Sequence, residues 1–110
     1  MKDEGFKNDS GKLNWTLLPF ASLEGVVKVL THGANVYGPF SWKKVENGRE
    51  RYMAALIRHL VAYLEGEEFD RDSGLPHLDH MIANLLFARS AHWNKDTTLL
   101  DKESDFMEGR

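Results

Sequence analysis

The sequence predicts an all-α fold: a compact bundle of three principal helices that forms an oligomer. Three observations predict it. Apolar residues recur at spacings of three and four in three separate stretches. Glycine or proline punctuates each junction between them. The third stretch is apolar on nearly every side, the pattern of a helix buried by its own fold or by a partner subunit.

Taken in order, residues 1–14 read as a flexible arm, polar and mixed in charge. Leu13, Trp15, Leu17 and Leu18 are expected to anchor that arm to the body. Pro19 suits a first helical turn, and Phe20, Leu23, Val27 and Leu30 follow at helical spacing with Val26 beside them. Gly33 is the expected stop. From Asn35 to Asn47 the signals are those of a loop, rich in rings (Tyr37, Phe40, Trp42) and followed by Lys43 and Lys44. Asn47 with Glu50 three residues on reads as a capping box opening a second helix, which ends near Glu65 before Gly66. At about 100° per residue, Tyr52, Met53, Leu56, Ile57, Leu60, Val61, Tyr63 and Leu64 fill one half of that helix. His59 falls at the edge of this half, between Ala55 and Ala62, and Arg58 lies opposite. An acidic loop (Glu67, Glu68, Asp70, Arg71, Asp72) leads to Pro76 and a third helix reaching about Trp93, with Asp79 in its first turn. The helical domain is therefore 15–93, and 94–110 is a polar tail.

Composition narrows the function. At 110 residues a single domain is expected, with 42% apolar and 28% charged residues. Without cysteine, neither disulfides nor a thiolate metal site can form. No signal peptide and no membrane-length apolar run are present, so the expected location is the cytoplasm. The net charge of −3 argues against duplex DNA or RNA as a partner.

The third helix carries the chemistry. His77, His80 and Asn84 share one narrow lane at i, i+3 and i+7, continued by Ala88 and Ala91 and bordered by Met81 and Phe87. Polar groups in a buried lane need partners, since an unpaired one costs about 1–3 kcal/mol. Facing His59, the lane reads as a ligand site. Histidine and arginine donors (Arg58, His59, His77, His80) suit phosphate oxygens. Lys43, Lys44 and Arg71 flank them, and the start of the third helix offers backbone N–H groups to an anion. Tyr37, Phe40 or Trp42 offers a ring to stack on a base. The implied ligand is a phosphorylated nucleotide. A metal reading competes: His59, His77 and His80, completed by Glu67 or Asp70, suit manganese, zinc or iron better than magnesium. The acidic loop lacks the carboxylate alternation of a calcium loop. An HD-type phosphohydrolase pair would need His then Asp, whereas Asp79-His80 has the reverse order.

Several of these residues also occur in a known family. Lys12 with Leu17-Leu18-Pro19, Gly33-Ala34, Tyr37-Gly38, Trp42, Arg58-His59, Gly66-Glu67, Asp70, Ser73-Gly74, His77, His80 and Asn84 together resemble the phage dATP/dGTP diphosphohydrolase N-terminal domain family. The resemblance spans about residues 11–92. It implies an α-helical phage protein acting on purine nucleotides in the host cytoplasm, similar in outline to MazG-like all-α pyrophosphohydrolases, which use magnesium or manganese. Those enzymes carry Glu-x-x-Glu and Glu-x-x-Asp on successive helices, where this chain has Arg58-His59 and His77-x-x-His80. Val36 and Ser41 also stand where the family often has Lys and Asn.

Three readings follow. In the first, the chain hydrolyses a (deoxy)nucleoside triphosphate to monophosphate and pyrophosphate. His59, Glu67 and Asp70 catalyse, while Tyr37, Trp42, Lys43, Arg58, His59, His77, His80 and Asn84 bind nucleotide. Glu67, Asp70, His77 and His80 hold any metal: magnesium or manganese by resemblance, manganese or zinc by donor type. In the second, the chain is a non-catalytic sponge that sequesters a nucleotide or a cyclic-nucleotide immune signal, an anti-defence role. In the third, the lane is a satisfied polar seam in a helical homodimer.

Overall fold

In a computed structural model, which describes residues 10–91, the fold is all-α. Three helices, α1 (Phe20–Tyr37), α2 (Gly48–Leu64) and α3 (His77–Ser90), pack as a bundle, with short 3-10 turns at Trp15–Leu17 and Ser41–Lys44. The expected helix end at Trp93, the tail 94–110 and the arm's residues 1–9 lie outside the described residues.

Helix α1 does not stop at Gly33. It runs on to Tyr37 and ends at Gly38, whose φ of 95° a side chain would resist. Glycine inside a helix costs only about 1 kcal/mol, so a packed helix can pass through it. The covered line of α1 is also rotated from the expected stripe. Val26 and Val29 are buried against Ala83 of α3, with Leu23, Leu30, Leu75 and Phe87 around them, while Phe20 and Val27 are exposed. The expected apolar anchor is likewise uncovered: Leu13, Trp15, Leu17 and Leu18 are all exposed. Asn14 instead closes its own 3-10 turn, its Oδ1 accepting the Thr16 N–H at 3.1 Å.

Helix α2 begins where expected but by other means. Asn47 adopts the left-handed conformation (φ 54°) and makes no side-chain cap, so the capping box is not formed. Gly48 then packs beside Ala91, where a β-carbon would lie 3.5 Å from the alanine methyl. Four residues on, Tyr52 meets Phe87; seven further, His59 meets His80. Equal steps forward along α2 and back along α3 define an antiparallel hairpin in constant register. Only part of the expected apolar half of α2 is covered: Leu56 is buried and Tyr52, Met53 and Leu60 are half-buried, whereas Ile57, Val61 and Leu64 stand exposed.

The far end of α2 closes through a Schellman arrangement. Gly66 (φ 101°) donates to the Tyr63 carbonyl and Glu67 to that of Ala62, both at 3.0 Å. Helix α1 lies along α3 rather than α2. It approaches closely at Gly25, where any β-carbon would collide with the Asp79 carboxylate. Asp79, read from the sequence as a helix-dipole acid, thus also abuts the α1 backbone. Among the described residues no helix is long and apolar enough to cross a membrane.

Candidate functional site

The acidic loop is an ordered clasp. Asp70 N–H donates to the Leu75 carbonyl, Gly74 N–H to that of Asp70 (both 2.8 Å) and His77 N–H to that of Glu68 (2.9 Å), with an isolated bridge between Phe69 and Pro76. The Asp70 side chain closes the turn from within, its Oδ2 accepting N–H groups of Asp72 (3.2 Å) and Ser73 (2.9 Å). Asp70-Arg71-Asp72-Ser73 is thus an Asx turn, for which a short acceptor side chain before two free N–H groups is the sequence requirement. The clasp folds Glu67, Asp70 and Ser73 over the first turn of α3, beside His59 from α2.

These groups form one connected cluster. His77 is 2% exposed. Its Nε2–H donates to Glu67 Oε1 at 2.8 Å, and its Nδ1 lies 2.8 Å from His59 Nδ1. With Nε2 protonated, neutral His77 accepts at Nδ1, which makes His59 Nδ1–H the donor. The His59 ring stacks on that of His80, with centroids 4.5 Å apart and planes 8° from parallel. Ser73 Oγ accepts the Leu75 N–H (3.1 Å) and is hydrogen-bonded to His80 Nε2 (2.7 Å). Asp70 Oδ1 stands 3.9 Å from His59 Nδ1. Glu67 uses its second oxygen on Arg71 Nε at 2.6 Å.

Electrostatics keep the His59 and His80 imidazoles neutral and the Glu67 and Asp70 carboxylates charged. Burial first, then neighbouring His80, hold His59 down at about 4, against the raising influence of Asp70. His80 is lowered too, chiefly by burial. Burial raises Asp70, but hydrogen bonds from Ser73 outweigh it and the net shift is downward. The hydrogen bonds from His77 and Arg71 lower Glu67. At neutral pH, His59 and His80 are therefore ligands or hydrogen-bonding groups, not phosphate-gripping cations.

Of the residues singled out from sequence, His59, Glu67, Asp70, His77 and His80 come together. Asn84 is buried behind them, its amide donating to the His80 carbonyl at 2.9 Å, so it braces α3. Trp42, Lys43 and Tyr37 lie elsewhere. The Trp42 ring stacks on Phe87 at 5.2 Å and the Lys43 ammonium sits 4.9 Å over Phe40. Phe87 is ten residues along α3 from His77, about 15 Å at 1.5 Å per residue. The aromatic and acidic loops join opposite ends of α2 and cannot line one small pocket. Tyr37 is 77% exposed at the end of α1. Arg58 is exposed on α2, one residue from His59. The anion seat expected at the start of α3 is largely filled: Glu68 takes the His77 N–H, and the Pro76 carbonyl takes those of Asp79 and His80.

The residues that could hold a metal are His59, Asp70 and His77, whose ligand atoms all lie within 4.8 Å of one another. The reading from donor type names His59 and His77 with His80, completed by Glu67 or Asp70; the set assigned to the hydrolase has Glu67 and His80 in place of His59. The residue reading gave Ser73 no role, although an acceptor side chain three residues before it marks the turn that aims its hydroxyl.

Residues 2–102 match the family described as dATP/dGTP diphosphohydrolase, N-terminal. A dATP/dGTP diphosphohydrolase of Salmonella phage PMBT28 is 31% identical over 83 residues, covering 76% of this chain and 28% of the relative. The chain thus spans little more than a quarter of that relative's length. No solved structure matches. With the match running through both the clasp and the histidine cluster, the chain belongs to the dATP/dGTP diphosphohydrolase N-terminal family.

Proposed function

We propose that the chain is a phage-type purine nucleotide-binding protein that hydrolyses a (deoxy)nucleoside triphosphate to monophosphate and pyrophosphate. The observation that carries this reading is the convergence of His59, His77 and His80 with two ionised carboxylates, in a member of this family. Water would attack the α-phosphorus, the bond to the bridging oxygen would break, and pyrophosphate would leave with that electron pair. Glu67 is less enclosed than His77 and held in its ionised form, so it can take the proton of the attacking water. His80, fixed by Ser73 and stacked on His59, offers its remaining ring nitrogen to a phosphate oxygen. A divalent ion would neutralise phosphate charge and acidify water. Two imidazoles and one carboxylate fit manganese or zinc; magnesium prefers a set of oxygen donors.

Incubation with each dNTP plus magnesium, manganese or zinc tests this. Monophosphate and pyrophosphate should appear in equal amounts with a purine substrate. Their absence across all three metals would overturn it.

One observation favours a second reading, a sponge for a nucleotide or cyclic-nucleotide immune signal. The two helices facing the cluster present imidazoles and no carboxylate pair. Calorimetry in EDTA would then show tight binding, with ligand recovered intact. A homo-oligomer fits either reading, because Leu78, Ile82, Leu85 and Leu86 form an uncovered stripe on α3. Sedimentation at micromolar concentration reads it directly.

A further inference from the structure

Between His59 and His77 two ring nitrogens share a single proton. Their Nδ1 atoms lie 2.8 Å apart, and Asp70 Oδ1 stands 3.9 Å from the first of them. His59, Asp70 and His77 each offer a ligand atom within 4.8 Å of the others. Around a tetrahedral ion with bonds near 2.0–2.1 Å, ligand atoms sit about 3.3 Å apart. The two nitrogens need to open by roughly half an ångström, and the Asp70 oxygen to close on His59 by about as much, which side-chain rotation supplies. The surroundings are those of a metal ligand too. His77 donates its outer Nε2–H to Glu67 Oε1 at 2.8 Å, the carboxylate–histidine arrangement that fixes the ring and frees Nδ1. Asp70 is pinned through its other oxygen by the N–H groups of Asp72 and Ser73, which leaves Oδ1 to face the imidazoles.

We infer that His59 Nδ1, His77 Nδ1 and Asp70 Oδ1 form one transition-metal site, with Glu67 as the positioning carboxylate of His77 and neither Glu67 nor His80 as a ligand. The ion class is that of zinc, cobalt or manganese. This inference shares residues with the proposed hydrolase but does not depend on hydrolysis, since a metal-bound sponge would carry the same three ligands. The chemistry balances simply. The proton that His59 Nδ1 donates in the metal-free protein moves to His59 Nε2, and the vacated lone pair joins that of His77 Nδ1 in binding the ion. No proton is lost from the pair.

The test uses the metal alone on the full chain. After dialysis against zinc or cobalt, elemental analysis should return one equivalent per chain, and cobalt should show the visible bands of a low-coordinate site. In nitrogen-15 NMR, zinc should shift Nδ1 of both His59 and His77 and move the His59 proton to Nε2, while His77 Nε2 stays protonated. His59→Ala should weaken zinc binding at least a hundredfold. Asp70→Asn retains an acceptor oxygen for the turn and should still weaken binding tenfold or more. Glu67→Gln should cost about tenfold, as loss of an outer partner does. His80→Ala should leave stoichiometry unchanged, and circular dichroism of each variant checks that it folds. Zinc binding no tighter than to the His59→Ala variant, or binding abolished by His80→Ala and unaffected by folded Asp70→Asn, would overturn the site. Absence of dNTP hydrolysis by a protein that binds zinc as described would count against the hydrolase alone.

Discussion

The two ends of the α2–α3 hairpin are built from the same pair of helices in the same register, yet they do different work. At one end Tyr52 meets Phe87, which stacks on Trp42, and the Tyr52 hydroxyl donates to the Trp42 carbonyl at 3.2 Å. Burial raises the Tyr52 phenol above its usual range, against the pull of Arg51, so it stays protonated. At the other end, the equivalent positions hold His59 and His80, and one ring nitrogen of each is tied into a relay reaching Glu67 and Ser73. A ring stack gains from apolar area, which needs no particular atom in a particular place. A relay gains only when each donor finds its acceptor, and it loses most when one member is removed. The aromatic end should therefore carry stability and the imidazole end chemistry.

The sharpest way to break that contrast is Phe87→Ala. Removing a ring that touches Trp42, Tyr52 and the α1 core should cost about 3 kcal/mol in urea denaturation. Zinc stoichiometry per folded molecule should not change. A loss of metal binding in molecules that remain folded would mean the two ends are coupled. The reverse experiment is His77→Leu, which keeps bulk but strands the His59 donor and removes one partner of Glu67. It should cost less, about 2 kcal/mol, and abolish zinc binding entirely.

Much of this hairpin was legible in the residues. The i, i+3, i+7 lane of His77, His80 and Asn84 and its opposition to His59 follow from helical periodicity alone, because few rotations of two antiparallel helices bring those positions together. The lengths of the elements were harder. Gly33 reads as a stop because its propensity is poor, but Val26 and Val29 packing on Ala83 outweighs one glycine and the helix continues. Periodicity also cannot say which of two apolar faces is covered. Ile57, Val61 and Leu64 look like core, yet α3 packs on the line of Gly48, Tyr52 and His59 because small or flat groups there let the helices approach. Placing Trp42 and Lys43 with the histidines failed for a plainer reason. They precede α2 while the clasp follows it, and 17 helical residues hold the two loops about 25 Å apart.

The polar end should also respond to pH in a defined direction. His59 titrates at about 4 in the fold and near its ordinary 6.5 when unfolded. Between those values the unfolded chain binds more protons, so stability is present above about pH 6.5 and is lost as pH falls toward 4. Thermal melts of the metal-free protein in EDTA should show this drop. In His59→Phe the slope over that interval should flatten, with the effect smaller than either truncation because solvent still reaches the ring. An unchanged slope would mean that His59 is not the group held neutral.

The finest distinction concerns Ser73, which belongs to both the clasp and the relay. Its Oγ accepts the Leu75 N–H and is hydrogen-bonded to His80 Nε2. Ser73→Ala removes both bonds but leaves the backbone N–H that Asp70 Oδ2 holds, so the turn survives and the loss should be about 1 kcal/mol. His80 then keeps its stacking on His59 but loses the bond that fixes its orientation. If the relay exists to place His80, nucleotide affinity should fall severalfold in Ser73→Ala, with zinc affinity nearly constant. Ser73→Thr, which restores the hydroxyl, should recover it. If Ser73 serves only the loop, alanine and threonine should differ in melting temperature and in nothing else. That outcome would move His80 from the ligand side of the cluster to its scaffold.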